Sequence, residues 1–167
     1  MRPEGWLALV AVTSVACNQP SESTTEASAT AAPARGPVIE FVPAPEGEPL
    51  AAIVAREAPR AEADSRTLLI YVGAPWCEPC TRFHEAATAG KLDGELPRLR
   101  LIELDRDRDE ARLEEAGCIS KLIPLFARAT PEGRCDPERQ HMGGVKGDGA
   151  VPFVTSHLKR LLAREPS

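Results

Sequence analysis

Two cysteines separated by two residues, Cys77 and Cys80, are the most distinctive chemical feature of the sequence. A continuous apolar run, residues 68–73, precedes them, and a stretch with helical character, residues 81–89, follows them. If a strand ends and a helix begins at Cys77, the first sulfur lies at a helix N-terminus. Unpaired N–H groups and the positive end of the helix dipole favour a thiolate there. The second sulfur can then attack the first in disulfide exchange. The same spacing also suits a permanent disulfide or half of a zinc site.

The residues around this pair resemble the active site of the thioredoxin superfamily. Residues 74–80 read Ala-Pro-Trp-Cys-Glu-Pro-Cys, and the superfamily site reads Trp-Cys-X-Pro-Cys. The Glu-Pro pair is similar to that of extracytoplasmic reductants of the cytochrome-maturation type. The resemblance covers about residues 38–164. It implies an α/β thioredoxin fold, with a central mixed sheet flanked by helices, and a thiol-disulfide oxidoreductase activity.

Hydrophobic periodicity and turn residues predict the element order β-α-β-α-β-α-β-β-α. Strands are predicted at 38–42, 67–72, 99–104, 124–129 and 134–144, and helices at 50–63, 77–89, 107–116 and 151–164. Pro59 could end or kink the first helix. In the third helix, Ala111 and Leu113 are predicted to point inward. The charged run at 105–115 is otherwise interpreted as a solvated face.

The resemblance implies roles for four residues. Cys77 is the exposed, attacking sulfur, and Cys80 is the resolving sulfur one turn deeper. Trp76 shields the disulfide and offers partners an apolar contact, although it could instead be a core aromatic. Pro124 follows Ile123 at the start of the fourth strand, where the superfamily carries a cis proline facing the cysteine pair. A trans proline at a sheet edge is the alternative. A cis proline leaves backbone groups free to pair with an extended substrate segment.

Two positions bear on the acidity of the cysteines. Many thioredoxins carry a buried aspartate that manages the proton of the second cysteine, and the corresponding residue here is Tyr71, a very weak acid. Proton transfer would then use water, Glu78 or Glu85. The Glu78 carboxylate disfavours the thiolate of Cys77, whereas Pro79 costs the first helical turn little. We therefore expect a moderately lowered pKa for Cys77, closer to that of thioredoxin than to that of a strong disulfide donor. This expectation favours a reductant or exchanger.

The N-terminus has the pattern of a targeting segment. Arg2 precedes a short apolar stretch, residues 6–16, which is too short to span a bilayer comfortably. Residues 14–17, Ser-Val-Ala-Cys, resemble a bacterial lipoprotein signal, which implies a lipid on Cys17. An ordinary secretory signal is the alternative. Either signal exports the chain, and we expect it on the periplasmic side of a bacterial membrane. Asn18, in place of the aspartate of an inner-membrane retention signal, favours the outer membrane.

The signal and lipidation segment, residues 1–17, is followed by a segment with almost no large apolar side chain. Residues 18–36 are rich in Ser, Thr, Ala, Pro and Glu. Such a composition cannot bury enough apolar surface to offset the entropy of ordering, so we predict a flexible tether. The remaining residues, 37–167, suit one thioredoxin-like domain. We expect this domain to be a monomer.

The cysteine count is consistent with export. Of five cysteines, one is assigned to lipid and two to the active pair, which leaves Cys118 and Cys135. Two leftover thiols in an oxidising compartment often pair, so a structural disulfide is one prediction. The alternative is that both are small, buried, unpaired side chains. The net charge of −5 provides no basic footprint for nucleic acid.

These observations lead to a membrane-tethered thiol-disulfide oxidoreductase that reduces or exchanges disulfides of exported proteins. We expect its partners to be protein thiols and disulfides, with a membrane thiol reductase as electron donor. Its redox-active disulfide would need no cofactor and no metal. One alternative is a copper or zinc chaperone of the same fold, using Cys77, Cys80 and His84. Another is a thioredoxin-like lipoprotein without catalytic activity.

Overall fold

The computed structural model describes residues 36–163, which lie within one compact unit, Ala34–Ser167. The predicted signal, the predicted lipidation site at Cys17 and nearly all of the predicted tether fall outside the described residues. Between residues 36 and 163, no helix is both long enough and apolar enough to cross a membrane.

The helices and strands follow one another in the predicted order. The strands are β1 (Ile39–Pro43), β2 (Thr67–Gly73), β3 (Leu99–Asp105), β4 (Leu125–Ala129) and β5 (Cys135–Met142). The α-helices are α1 (Leu50–Ala63), α2 (Glu78–Thr88), α3 (Glu110–Glu115) and α4 (Ala150–Ala163), the last preceded by a 3₁₀ turn at Gly147–Gly149. Pro59 is exposed inside α1 and does not end it.

The five strands form one mixed sheet in the order β1-β3-β2-β4-β5. β3 pairs in parallel with both β1 and β2, whereas β4 pairs antiparallel with β2 and with β5. β2 is the central strand and is buried from Leu69 to Gly73, as its continuous apolar run predicts. This arrangement is a thioredoxin-like α/β fold, and the predicted fold class is confirmed.

Apolar side chains cover both faces of the sheet. One face packs against α2 and α4 through residues that include Phe83, Phe126, Val154 and Leu158. The other packs against α1 and α3 through residues that include Ile53, Ile70, Ile102 and Leu113. Because both faces of β2 are covered, the position of its carboxyl end is fixed. Cys77, which follows that end, therefore has a defined position at the edge of the sheet.

The third helix begins later than predicted, because two aspartates hold the preceding residues in a turn. The Asp105 carboxylate accepts hydrogen bonds from the N–H groups of residues 107 and 108, both at 2.9 Å. The Asp109 carboxylate accepts one from the N–H of Asp105 at 2.8 Å. Asp109 is buried, so the interpretation of 105–115 as a solvated face is wrong at this residue. Ala111 is exposed, and the prediction that it points inward is also wrong; Leu113 is buried.

Candidate active site

The two cysteines of the motif form a disulfide at the start of α2. Cys77 and Cys80 have their sulfurs bonded and their Cα atoms 5.2 Å apart. Cys77 is the N-cap of α2, and its Sγ accepts a hydrogen bond from the N–H of Cys80 at 3.3 Å. Pro79 occupies the first turn, where a proline leaves no additional donor unpaired. The geometry that the sequence predicted, a sulfur held by the free N–H groups of a helix N-terminus, is present.

Both sulfur-bearing residues are nearly covered. Cys77 is 4 % exposed and Cys80 is 3 % exposed. The prediction that Cys77 is an exposed sulfur is therefore wrong for the disulfide form. The physical reason is that the side chain turns back over the helix N-terminus, and Cys77 and Cys80 pack with Ala74 and Ile123 in a small apolar cluster. Little of either cysteine is therefore accessible to solvent in the disulfide form.

Pro124 lies on the loop that closes this cluster. The Ile123–Pro124 peptide bond is cis, as predicted, and Ile123 packs against the cysteine cluster. The Pro124 carbonyl accepts a hydrogen bond from the N–H of Gly143 at 2.9 Å, which ties the loop to the end of β5. Sequence reasoning missed Gly144. A Cβ atom at this position would lie 2.8 Å from Pro79 and 3.3 Å from Pro124, so only glycine lets the chain pass close to both prolines.

Trp76 lies on the surface beside the disulfide, and the alternative that it is a core aromatic is wrong. Its side chain is 62 % exposed. The indole N–H donates a hydrogen bond of 2.7 Å to the Asp107 carboxylate, which orients the ring from the loop after β3. An oriented, exposed indole next to a disulfide is suited to contact with a partner protein.

Four more large apolar side chains are exposed, three of them on loops and one at the end of β5. They are Ile119, Leu122, Met142 and Val145, and together with Trp76 we refer to them as the apolar rim. Ser120 Oγ lies 2.9 Å from Met142 Sδ, which joins the loop before Pro124 to β5. Sequence reasoning missed these four residues. For the three loop residues, the available signal was the placement of large apolar residues in segments without helical or strand periodicity.

The Glu78 carboxylate is held by two donors. Its Oε1 accepts from the Gly147 N–H at 3.0 Å and from Arg82 Nε at 2.8 Å. The Gly147 hydrogen bond, followed by the one from Arg82, lowers the pKa of Glu78. The carboxylate is thus ionised, but Arg82 compensates its charge. The predicted opposition of Glu78 to a Cys77 thiolate is weaker than the sequence alone suggested.

Behind the disulfide an open cleft of about 350 Å³ reaches Cys80. Its polar lining includes Tyr71 of β2, Glu103 and Asp105 of β3, Thr81, His84 and Glu85 of α2, and Arg108 after β3. Burial, reinforced by the nearby Glu103 carboxylate, raises the pKa of Tyr71 well above its ordinary value. The tyrosine is therefore a neutral hydroxyl at physiological pH. Sequence reasoning named Tyr71, Glu85 and His84 but missed Glu103, which only strand pairing brings opposite Tyr71.

Cys118 and Cys135 also form a disulfide, which links the end of α3 to the start of β5. Cys118 is fully buried and Cys135 is 5 % exposed, both in the apolar core on the α1 and α3 side. The N–H of Cys135 donates to the Ala116 carbonyl at 3.0 Å. Of the two alternatives that the sequence left open, the structure has the bonded pair.

His84 does not join the cysteines in a metal site. Its ring stacks on Phe41, with centroids 4.0 Å apart, and its Nε2 lies 3.7 Å from Glu103 Oε1. Across the described part of the chain, no group of three or more His, Cys, Asp or Glu side chains is arranged to hold a metal ion.

Comparison with known proteins yields matches to solved structures only. No protein-family profile matches the sequence, and no curated protein matches it. Thioredoxin from Trichomonas vaginalis is 16 % identical, with 75 % of this chain and 96 % of that chain covered and a TM-score of 0.44. A thioredoxin mutant from Halobacterium salinarum NRC-1 is 16 % identical, with coverage of 78 % and 96 % and a TM-score of 0.41. A poplar thioredoxin h is 17 % identical, with coverage of 76 % and 98 % and a TM-score of 0.41. At these scores, the fold assignment depends on the order and pairing of the strands.

Proposed function

We propose that this chain is a thiol-disulfide oxidoreductase that reduces or exchanges disulfides of exported proteins while tethered to a membrane through Cys17. The observation that carries the chemical part is the Cys77–Cys80 disulfide at the N-terminus of α2, packed against Ile123 of the cis-proline loop. The tethering part is supported by the lipoprotein-like residues 14–17 and the polar segment at 18–36.

The reaction follows from the positions of the two sulfurs. In the reduced protein, the Cys77 thiolate attacks one sulfur of a substrate disulfide, and the other substrate sulfur leaves as a thiolate. Cys80 then loses its proton and attacks Cys77 Sγ. The Cys77–Cys80 bond forms, the mixed disulfide breaks, and the second substrate sulfur leaves. Two electrons pass from the protein to the substrate, and a membrane thiol reductase would restore the dithiol. The chemistry uses no cofactor and no metal.

The surface around the disulfide supports a protein or peptide substrate. The apolar rim provides exposed contact area on the loops that border the site. Between residues 36 and 163, the backbone N–H and C=O of Ile123 have no hydrogen-bond partner. An extended segment of the substrate could pair with them as an added strand. Because little of either cysteine is exposed, contact of the partner with the rim would bring its sulfur within reach of Cys77.

Trapping of a mixed disulfide tests the reaction. A Cys80→Ser variant of the full chain should accumulate a covalent complex with its substrate, because the resolving sulfur is gone. A Cys77→Ser variant should accumulate none. Absence of any trapped species, together with no activity of the wild type on a model disulfide, would favour the alternative of a non-catalytic domain.

The direction of electron flow and the tether need separate measurements. We expect a reduction potential on the reducing side of about −150 mV, since strong oxidants of this type lie near about −120 mV. A higher potential would contradict the reductant assignment.

For the tether, the full chain should fractionate with membranes and a Cys17→Ala variant should not. Equal fractionation of the two would remove lipid at Cys17 from the proposal.

A further inference from the structure

The resolution step requires a place for the proton of Cys80, and the cleft behind the disulfide provides one. This inference rests on the proposed function. The residue corresponding to the superfamily's buried aspartate is Tyr71, whose hydroxyl is already protonated and cannot accept a second proton at physiological pH. The hydroxyl packs over Gly73 next to Cys80. A Cβ atom built at Gly73 would lie 2.8 Å from Tyr71 Oη and 3.5 Å from Cys80 Cβ. The tyrosine can orient water near Cys80, but another group must take the proton.

Glu103 is the acidic side chain that the sheet brings to this place. It is the register partner of Tyr71 on the neighbouring strand, so both side chains emerge on the same face of the sheet. Its side chain is 31 % exposed and lines the cleft together with Cys80. Its carboxylate makes no hydrogen bond among residues 36–163, and its nearest cation-forming partner is His84, with Nε2 at 3.7 Å.

The other charged groups that line the cleft are engaged elsewhere or lie at its outer edge. Asp105 caps the turn after β3, and Arg108 pairs with Asp109 at 2.9 Å. Glu78, named from the sequence as a proton acceptor, does not line the cleft and is bound to Gly147 and Arg82. Glu85 lines the cleft but is exposed to solvent on α2.

From this arrangement we infer that Glu103, with Tyr71 and His84 beside it, accepts the proton of Cys80 through water in the cleft during resolution of the mixed disulfide. The Cys80 S–H bond breaks and its proton passes through water to the Glu103 carboxylate. The Cys80 thiolate then attacks Cys77 Sγ, the Cys77–Cys80 bond forms, and the substrate sulfur leaves with the electron pair of the broken bond. Glu103 afterwards releases the proton to solvent through the open side of the cleft. Because Glu103 receives the proton through water and does not touch either sulfur, we call it a positioning residue.

The two steps can be separated with an aromatic disulfide whose thiol product is coloured, dithiobisnitrobenzoate. The full chain carries Cys17→Ala in every variant and is reduced mildly, so that only Cys77 and Cys80 react and the Cys118–Cys135 bond stays intact. Attack by Cys77 releases one coloured thiol at a rate that depends on reagent concentration. Resolution by Cys80 releases the second at a rate independent of concentration. Glu103→Gln should leave the first rate unchanged and slow the second about tenfold near neutral pH, which is below the roughly hundredfold lower end for general base catalysis because water can partly replace the carboxylate.

The pH profile distinguishes proton transfer from a structural effect. In Glu103→Gln, the second rate should rise in proportion to hydroxide, whereas the wild type should show a plateau. Added acetate, which is small enough for the cleft, should restore the second rate of Glu103→Gln, and Glu103→Asp should retain most of it.

The matched comparison is Glu85→Gln, which removes another carboxylate of the same cleft, one that the sequence also named as a proton acceptor; it should slow the second rate less than Glu103→Gln does. Equal slowing in the two variants, or an unchanged second rate in Glu103→Gln, would overturn the role of Glu103. Both results are distinct from failure of the proposed function, in which the wild type itself would release no coloured thiol in the second phase.

Discussion

The molecule contains two disulfides with nearly equal burial and very different surroundings. Cys77–Cys80 is 4 % and 3 % exposed, and Cys118–Cys135 is 0 % and 5 % exposed. The first pair occupies a helix N-terminus, borders the cleft and packs against the cis-proline loop. The second lies in the apolar core and closes a connection between α3 and β5. Burial alone therefore does not separate a reactive disulfide from a structural one. The two disulfides differ instead in their surroundings: only Cys77–Cys80 lies at the N–H groups of a helix N-terminus and borders the cleft.

The largest expected effect is loss of exchange at one disulfide and its retention at the other. Cys77→Ser should abolish reduction of a protein disulfide, because among residues 36–163 no other cysteine is the N-cap of a helix. The double variant Cys118→Ser/Cys135→Ser should keep exchange activity at a temperature where it is folded. Activity is measured as reduction of a protein disulfide by the reduced chain. Similar losses in both variants would remove the distinction drawn between the two disulfides.

The free energy of unfolding should depend more on the Cys118–Cys135 bond than on the Cys77–Cys80 bond. The Cys118–Cys135 bond spans a sequence separation of 17, and the Cys77–Cys80 bond a separation of 3. In the loop-entropy description, the longer loop contributes about 3 kcal/mol to the free energy of unfolding and the shorter one about 2 kcal/mol. Urea unfolding of the two double serine variants measures both values. A larger loss from the Cys77/Cys80 variant would contradict this ranking.

The apolar rim reaches from one disulfide to the other, since Leu122 precedes the cis-proline loop and Ile119 follows Cys118. Leu122→Ala should reduce kcat/KM for a protein disulfide about fivefold, in the range of a moderate contact residue at an interface. Ile119→Ala should have a smaller effect. Neither should change the reduction of a small aromatic disulfide, which does not need the rim. Equal losses with the small substrate would mean that the variants disturb the site itself.

The smallest expected effect is a pH dependence of stability that arises at the active-site end of the molecule. His141 packs against His157, and its Nε2 lies 3.0 Å from the carbonyl of Gly143, the residue that binds Pro124. Burial, followed by the charge of His157 and more weakly that of Arg160, lowers the pKa of His141. On acidification, His141 is therefore protonated at a higher pH in the unfolded chain than in the folded chain. The stability contributed by neutral His141 is present above about pH 6.5 and is lost as the pH falls toward the folded-state pKa.

Acidification from neutral pH should accordingly lower the urea midpoint more in the wild type than in a His141→Gln variant. The amide of Gly143 should lose exchange protection on acidification before the amide of Cys135 does, because only the former lies beside the histidine pair. Identical pH dependence of wild type and variant would show that His141 makes no such contribution.

Much of the fold followed from local patterns along the chain. The apolar run that became β2, the spacing that became α1, and the two cysteines at the start of α2 were all predicted, because strand and helix periods are set by backbone geometry within a few residues. The misplaced start of α3 has a local cause as well. The carboxylates of Asp105 and Asp109 bind backbone N–H groups in the turn before the helix. Helix propensity does not account for such side-chain competition.

By itself, the sequence determined two features that the structure has: a Cys-X-X-Cys pair at a strand-to-helix junction and a cis proline at position 124. Only the tertiary structure decided the surroundings of that chemistry. Strand pairing placed Glu103 opposite Tyr71, the close approach of Gly144 joined the two prolines, and packing covered Cys77. These contacts join residues far apart in the chain. Their physical origin is sheet register and side-chain packing, which no local spacing specifies.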